Sequence, residues 1–186
     1  FASQFDPPNM NDDIPELEIE DKWILAEFED VMQRIELSWR EIDIYSAAQA
    51  IKSFSTGVFP SHWLEMSKSR LYDGNMSANW TIHRIVRDLL TAFSPICPFF
   101  THHLSTTLYG SSAVDAREFP VLDNLIHNDE SSVLRNMTGK ITAFNSLVWK
   151  LKKDSGKSLK SPISGVTIPN QLSEFSNTFI SMHNIE

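Results

Sequence analysis

His62-Trp63-Leu64-Glu65-Met66-Ser67-Lys68-Ser69-Arg70-Leu71-Tyr72 is the stretch on which the fold turns. Met66-Ser67-Lys68-Ser69 is the kind of small, lysine-bearing run that serves as a mobile phosphate loop, where an ammonium stabilises charge developing on a nucleotide. Such a loop needs small or glycine neighbours so that the backbone can approach the ligand. Here Glu65 precedes the run and Arg70-Leu71-Tyr72 follows it. Trp63, Glu65, Lys68, Arg70 and Tyr72 sit where a helix would carry a mixed apolar and basic face. The helical alternative is the stronger, and it implies an all-helical neighbourhood.

Working outward, Trp23, Ile24, Phe28, Val31, Met32, Ile35 and Trp39 recur at intervals of three and four, which predicts a helix over about 21–40 with Asp21 as its cap. A second helix is predicted from Asp43, its N-cap, through Ile44, Ala47, Ala48, Ile51 and Phe54. Gly57 and Pro60 predict a kink before helicity resumes through Trp63 and Tyr72 and stops at Asp73-Gly74-Asn75. A helix over about 76–93 and a short one from Pro98 to Leu108, ended by Gly110, come next. Residues 111–121 read as an extended arm. A basic helix is predicted over 131–153, Val166-Thr167-Ile168-Pro169 as a short strand, and Leu172 to Ile180 as a last helix. The fold class is therefore mainly α: an antiparallel helix bundle, followed by a small α/β C-terminal appendage. The expected division is 1–128 for the bundle and 129–186 for the basic helix with its strand and helix.

The net charge of −8 hides an asymmetry. Residues 1–43 carry thirteen acids and three bases, while residues 44–186 carry eleven acids and thirteen bases. Within 135–160 stand Arg135, Lys140, Lys150, Lys152, Lys153, Lys157 and Lys160 against Asp154 alone. Binding RNA requires local positive potential rather than a positive total, although a run of lysines is also what a solvated helix face looks like. Cys97 is the only cysteine, so no intrachain disulfide is possible. No run approaches about 18 uncharged apolar residues, and no membrane span is expected. The start, Phe1-Ala2-Ser3-Gln4-Phe5, has neither an initiator Met nor a signal pattern, and a piece of a longer chain is expected.

No catalytic constellation emerges: no Ser/His/Asp set, acid dyad, glycine-rich phosphate loop or Cys-x-x-Cys. His102 and His103 are adjacent, so on a helix they point roughly 100° apart and do not chelate one ion together; no metal site is expected. Aromatic and basic side chains do interleave, around Trp63, Lys68, Arg70 and Tyr72, and again around Trp80, His83, Arg84 and Arg87. Rings stack on splayed bases while Arg and Lys hold phosphates. The same residues equally suit a core of aromatics with bases lying over it.

Asp21-Lys22-Trp23-Ile24-Leu25, then Asp43, Ala47-Ala48 and Phe54, then Trp63-Leu64-Glu65 with Lys68 and Arg70-Leu71-Tyr72, then Pro95-Ile96-Cys97-Pro98-Phe99-Phe100-Thr101 and Leu108-Tyr109 together resemble the helical anticodon-binding domain of class Ia aminoacyl-tRNA synthetases. Within that group Trp-x-Glu-x-x-Lys-x-Arg-x-Tyr is most similar to the valyl enzymes. Val148-Trp149-Lys150-Leu151-Lys152-Lys153, Gly156 to Ile163 and Met182-His183-Asn184-Ile185 resemble their archaeal type. The resemblance implies that Met66-Ser67-Lys68-Ser69 lies inside a bundle helix and that the true Lys-Met-Ser-Lys-Ser loop lies upstream. It implies a tRNA partner, valine-accepting, gripped by its anticodon stem and loop. It implies a catalytic domain of the same protein holding ATP and Mg, no cofactor in these residues, a cytoplasmic location and a monomeric parent. Candidate RNA-binding residues are Phe1, Trp63, Lys68, Arg70, Arg84, Arg87, Lys150, Lys152 and Lys153, with Phe1 implied as a base-stacking residue. His102 stands where the family commonly has Glu, and Pro60 enters the helix before Trp63. The alternatives are an isoleucyl or leucyl enzyme, a nucleotide-using enzyme built on the Ser-Lys-Ser run, or a protein-interaction bundle without RNA contact.

Overall fold

The computed structural model describes residues 1–10, 12–110, 114, 117–120 and 125–186. Helix α1 (Ile19–Arg40) is the hub, because its apolar stripe is buried on several sides: Trp23, Ile24, Phe28 and Ile35 have no exposed surface. It packs against α2 (Ile44–Thr56), α4 (Met76–Phe93) and α6 (Asn128–Asp154). Helices α3 (Leu64–Tyr72), α5 (Pro98–Tyr109) and α7 (Ser176–His183) complete the mainly α fold that the periodicity predicts.

Local signals set most boundaries. Asp43 caps α2 by accepting from Ser46 N at 3.0 Å, and hydrogen bonding with Ser46, through its side chain first and its backbone N–H second, holds the Asp43 carboxyl below the ordinary range. Asn75 caps α4 by accepting from Ala78 N at 2.9 Å. Gly110 ends α5 with φ +62°. Gly57 and Pro60 act together as expected of a break, and the chain crosses from α2 to α3 through a wide π-type turn, Phe59–Trp63. A Cβ on Gly57 would lie 2.4 Å from Ser53 O, so the backbone there has no room for a side chain. Phe54, Phe59 and Trp63 stack in series across this turn, with centroids 5.5 and 5.4 Å apart. The connection from α1 to α2 is only residues 41–43, with Asp43 N donating to Ser38 O at 2.8 Å. This tightness puts Ile42 at φ +58° with its side chain 81% exposed.

Three expectations need correction. Asp21 does not cap α1: the helix starts at Ile19 after Glu18, and Asp21 is fully buried in its first turn. Val166 to Pro169 form no strand, because no partner strand lies beside them. The described residues contain only one isolated bridge, Ile163 to Ile185, so the appendage is helical and irregular rather than α/β. The last helix is split, a 3-10 turn at Asn170–Phe175 leading into α7. The expected arm over 111–121 lies mostly outside the described residues.

Helix α6 is stitched to α1 by Lys22 with Glu130 (2.9 Å), Arg135 with Asp30 (3.4 Å) and Ser131 donating to Glu29 (3.1 Å). Trp23 Nε1 donates to Thr138 Oγ1 at 2.8 Å, and the same hydroxyl donates to Glu27. Phe175, Phe179, Phe144 and Ile141 join Trp23 in one core, which continues across residue 128 without a break. No helix among the described residues is long and apolar enough to cross a membrane.

Candidate nucleic-acid interface

The stretch that decides the fold also anchors a buried polar network. Asp21 Oδ1 accepts from Trp63 Nε1 at 3.0 Å and from Arg70 at 2.9 Å. Its Oδ2 accepts from Arg70 at 2.7 Å and from Ser77 Oγ at 2.5 Å. Glu18 adds a second carboxylate to Arg70 at 3.2 Å, and Glu20 a third at 3.9 Å. Burial alone would pull the Arg70 guanidinium down; the hydrogen bonds and charge of Asp21 outweigh it and raise its proton affinity. Burial pushes the Glu20 carboxyl up. Three elements are thereby locked around one buried carboxylate.

This corrects two candidates. Trp63 has no exposed surface and offers no face to a base. Arg70 points inward, its side chain 16% exposed and surrounded by acids. The run Met66 to Ser69 lies within α3, with Met66 and Ser67 buried and Lys68 paired with Glu65 in the helix, so it makes no mobile phosphate loop and does not fit ATP. No group of three His, Cys, Asp or Glu side chains among the described residues could hold a metal ion.

The second basic region is the C-terminal end of α6. Lys150 and Lys153 are exposed there, and Lys157 and Lys160 are exposed in the loop that follows. Lys157 Nζ donates to Pro162 O at 3.0 Å, which ties the loop together. These cations share the region with Asp154, and favourable placement at a helix C-terminus helps to hold them.

A family model described as the anticodon-binding domain of tRNA ligase matches residues 21–167. The chain belongs to that family. It is 32% identical over 176 residues to a protein of Aeropyrum pernix named valine–tRNA ligase, covering 90% of this chain and 21% of that protein. A protein of the same name from Saccharolobus solfataricus is 31% identical over 149 residues, covering 80% of this chain and 17% of its own length. One from Sulfolobus acidocaldarius is 32% identical over 145 residues, covering 77% and 17%. The chain thus spans about a fifth of the length of these relatives.

Within this anticodon-binding domain Lys152 departs from its expected role. It has no exposed surface, and its ammonium donates to Leu159 O and His183 O, each at 2.7 Å. Burial lowers its proton affinity. Lys152 is a pin that fastens the last residue of α7 and the loop after α6 to the helix; it sits inside because its position on α6 faces α7, while Lys150 and Lys153 turn outward. Lys152→Met takes the donor from the buried His183 carbonyl and from the part-buried Leu159 carbonyl, and is expected to cost about 2 kcal/mol. Thermal unfolding measures that loss.

The other candidates spread over the surface. Phe1 is 40% exposed and meets Phe5 at 5.3 Å and Tyr72 at 6.3 Å, edge to face. Tyr72, 64% exposed, completes this aromatic corner, and its hydroxyl donates to Gln4 at 3.0 Å. Arg84 donates to Asp88 at 2.6 Å and lies over Trp80, while Arg87 lies over the Tyr109 ring at 5.2 Å. The nine candidates therefore do not converge on one patch.

Sequence reasoning missed a buried chain of hydrogen bonds beside Lys152. His183 Nε2 donates to Asn145 Oδ1 at 2.8 Å, and Asn145 Nδ2 donates to His62 Nδ1 at 3.2 Å. Trp149 packs against both imidazoles, 5.5 Å from His62 and 5.8 Å from His183. Burial, then the nearby Lys152, pushes His183 down to about 4. Its members are 38 and 83 residues apart, so no spacing in the sequence announces them.

Proposed function

We propose that this chain grips the anticodon stem and loop of a valine-accepting tRNA, as one part of a valine–tRNA ligase. The match to the anticodon-binding family over residues 21–167 carries this reading, and the valine–tRNA ligases of three archaea support the amino acid. The exposed cations Lys150 and Lys153, with Lys157 and Lys160 beside them, supply the positive surface for phosphates. The exposed corner of Phe1 and Tyr72 supplies rings for unpaired bases. Joining valine to tRNA through ATP and Mg belongs, in this proposal, to a catalytic domain outside these 186 residues. That domain is the chain's second partner, in a monomeric cytoplasmic enzyme.

The test is tRNA binding by the full-length protein across a salt series. Lys150→Glu with Lys153→Glu is expected to weaken valine tRNA at least about tenfold and to flatten the slope of log affinity against log salt by roughly one to two. Unfolding should barely change, because both side chains are exposed. Unaltered affinity and slope would overturn the lysine interface. Equal affinity for valine tRNA and other tRNAs would overturn the specificity.

A further inference from the structure

The α1–α2 hairpin lies at the opposite end of α1 from the Asp21 network. That helix is 22 residues long, so the two are about 30 Å apart. Leu37, Ile42, Ile44 and Tyr45 each leave more than half of their surface bare. Leu37 and Tyr45 line a cleft of about 600 Å³ between the two helices, together with Val31, Ala50, Phe54 and Val58. Apolar residues scattered singly over a surface are ordinary; several gathered at one tip, beside a cleft, mark a place of contact. Ile42 sharpens the point, because its backbone is left-handed, where glycine is favoured, yet the chain sets a large apolar side chain there.

Charge narrows the partner. Arg34 is paired with Asp30 at 2.9 Å and Arg40 with Glu36 at 2.6 Å. Glu41 and Asp43 alternate with the two isoleucines, are exposed, and form no ion pair among the described residues. The tip is therefore apolar and negative. It repels phosphates, which argues against RNA, and a second copy of the same tip would set carboxylates against carboxylates. A protein surface of apolar side chains edged by lysine or arginine satisfies both halves. A separate protein needs roughly 20–30 residues a side for a standard interface, more than one hairpin tip presents. A partner on the same polypeptide needs fewer, because the linkage supplies an effective concentration on the order of millimolar. The chain spans about a fifth of its relatives' length, so the remainder of such a protein is the partner at hand.

We propose that the α1–α2 hairpin docks on another part of the same protein, outside residues 1–186, through apolar side chains flanked there by lysine or arginine. The inference rests on the reading of this chain as one part of a longer ligase. Docking at this end leaves the Phe1 and Tyr72 corner, which adjoins the Asp21 end through α3, free for tRNA.

The experiment uses the full-length protein with the photo-crosslinker p-benzoylphenylalanine replacing Tyr45, irradiated with and without tRNA, and the crosslinked peptides identified by mass spectrometry. The expected product joins position 45 to a segment of the same polypeptide outside residues 1–186 that carries lysine or arginine beside apolar residues. Glu41→Lys with Ile44→Ser should lower its yield at least about fivefold, since a like charge then faces the partner's cations. Both side chains are exposed and the Asp43 cap is kept, so the melting temperature checks that the variant folds. Crosslinks confined to residues 1–186, to tRNA or to a second copy overturn the docking, as does a yield unchanged in the variant. Failure of tRNA to bind while the crosslink forms sinks the tRNA reading and leaves the docking standing; tRNA binding without the crosslink does the reverse.

Discussion

Asp21→Ala is expected to lower stability by about 3–5 kcal/mol, the range for removing one partner of a buried ion pair. Asp21 has no exposed surface, and four donor contacts converge on its two oxygens. Without it the Arg70 guanidinium stays largely enclosed with only Glu18 and Glu20 nearby, and Trp63 Nε1 loses its acceptor. Asp21→Asn keeps the shape but turns an N–H toward Arg70 or Ser77, so most of the loss should remain. Urea unfolding followed by tryptophan fluorescence measures both variants. A loss under about 1 kcal/mol for Asp21→Ala would show the network to be dispensable.

Acid should weaken the fold between pH 6.5 and about 4, and His183 should be the main cause. Its imidazole is held neutral inside the protein at about 4, whereas in the unfolded chain it titrates near 6.5. In that window the unfolded state binds the extra proton, so stability rises with pH and is fully present above 6.5. The shift is worth about 3 kcal/mol for a group enclosed as completely as this one. His62 and His83 are also lowered by burial and act in the same direction. Glu20 and Glu27 are raised by burial and oppose the loss at the acid end. Chemical unfolding at stepped pH gives the curve, and His183→Asn should flatten it. An equally steep curve in His183→Asn would remove His183 as the cause.

Patterns that repeat along the chain were readable in the sequence, and pairings across it were not. The stripe from Trp23 to Ile35, the cap Asp43, and the break at Gly57 and Pro60 are local, and each recurs in the structure near its expected place. Asp21 looked like a cap because it precedes an apolar stripe; its actual partners are 42 to 56 residues away. Lys152 belongs to a basic run by composition, yet only the approach of α7 decides that it turns inward while Lys150 and Lys153 do not. Val166-Thr167-Ile168 has strand composition, but a strand needs a neighbour, and the bridge here forms at Ile163 instead. The order of motifs was a better guide to the anticodon-binding family than any single residue was to a contact.

The three-residue link between α1 and α2 leaves a reserve of sturdiness untouched. A β-branched side chain in the left-handed region carries roughly 1–2 kcal/mol of steric strain, and Ile42 does so with 81% of its surface bare, where no packing offsets it. Glycine would shed that burden without disturbing any enclosed neighbour. An engineer seeking a hardier version of this domain would begin at that hairpin tip, far from the arginine lock that holds its other end.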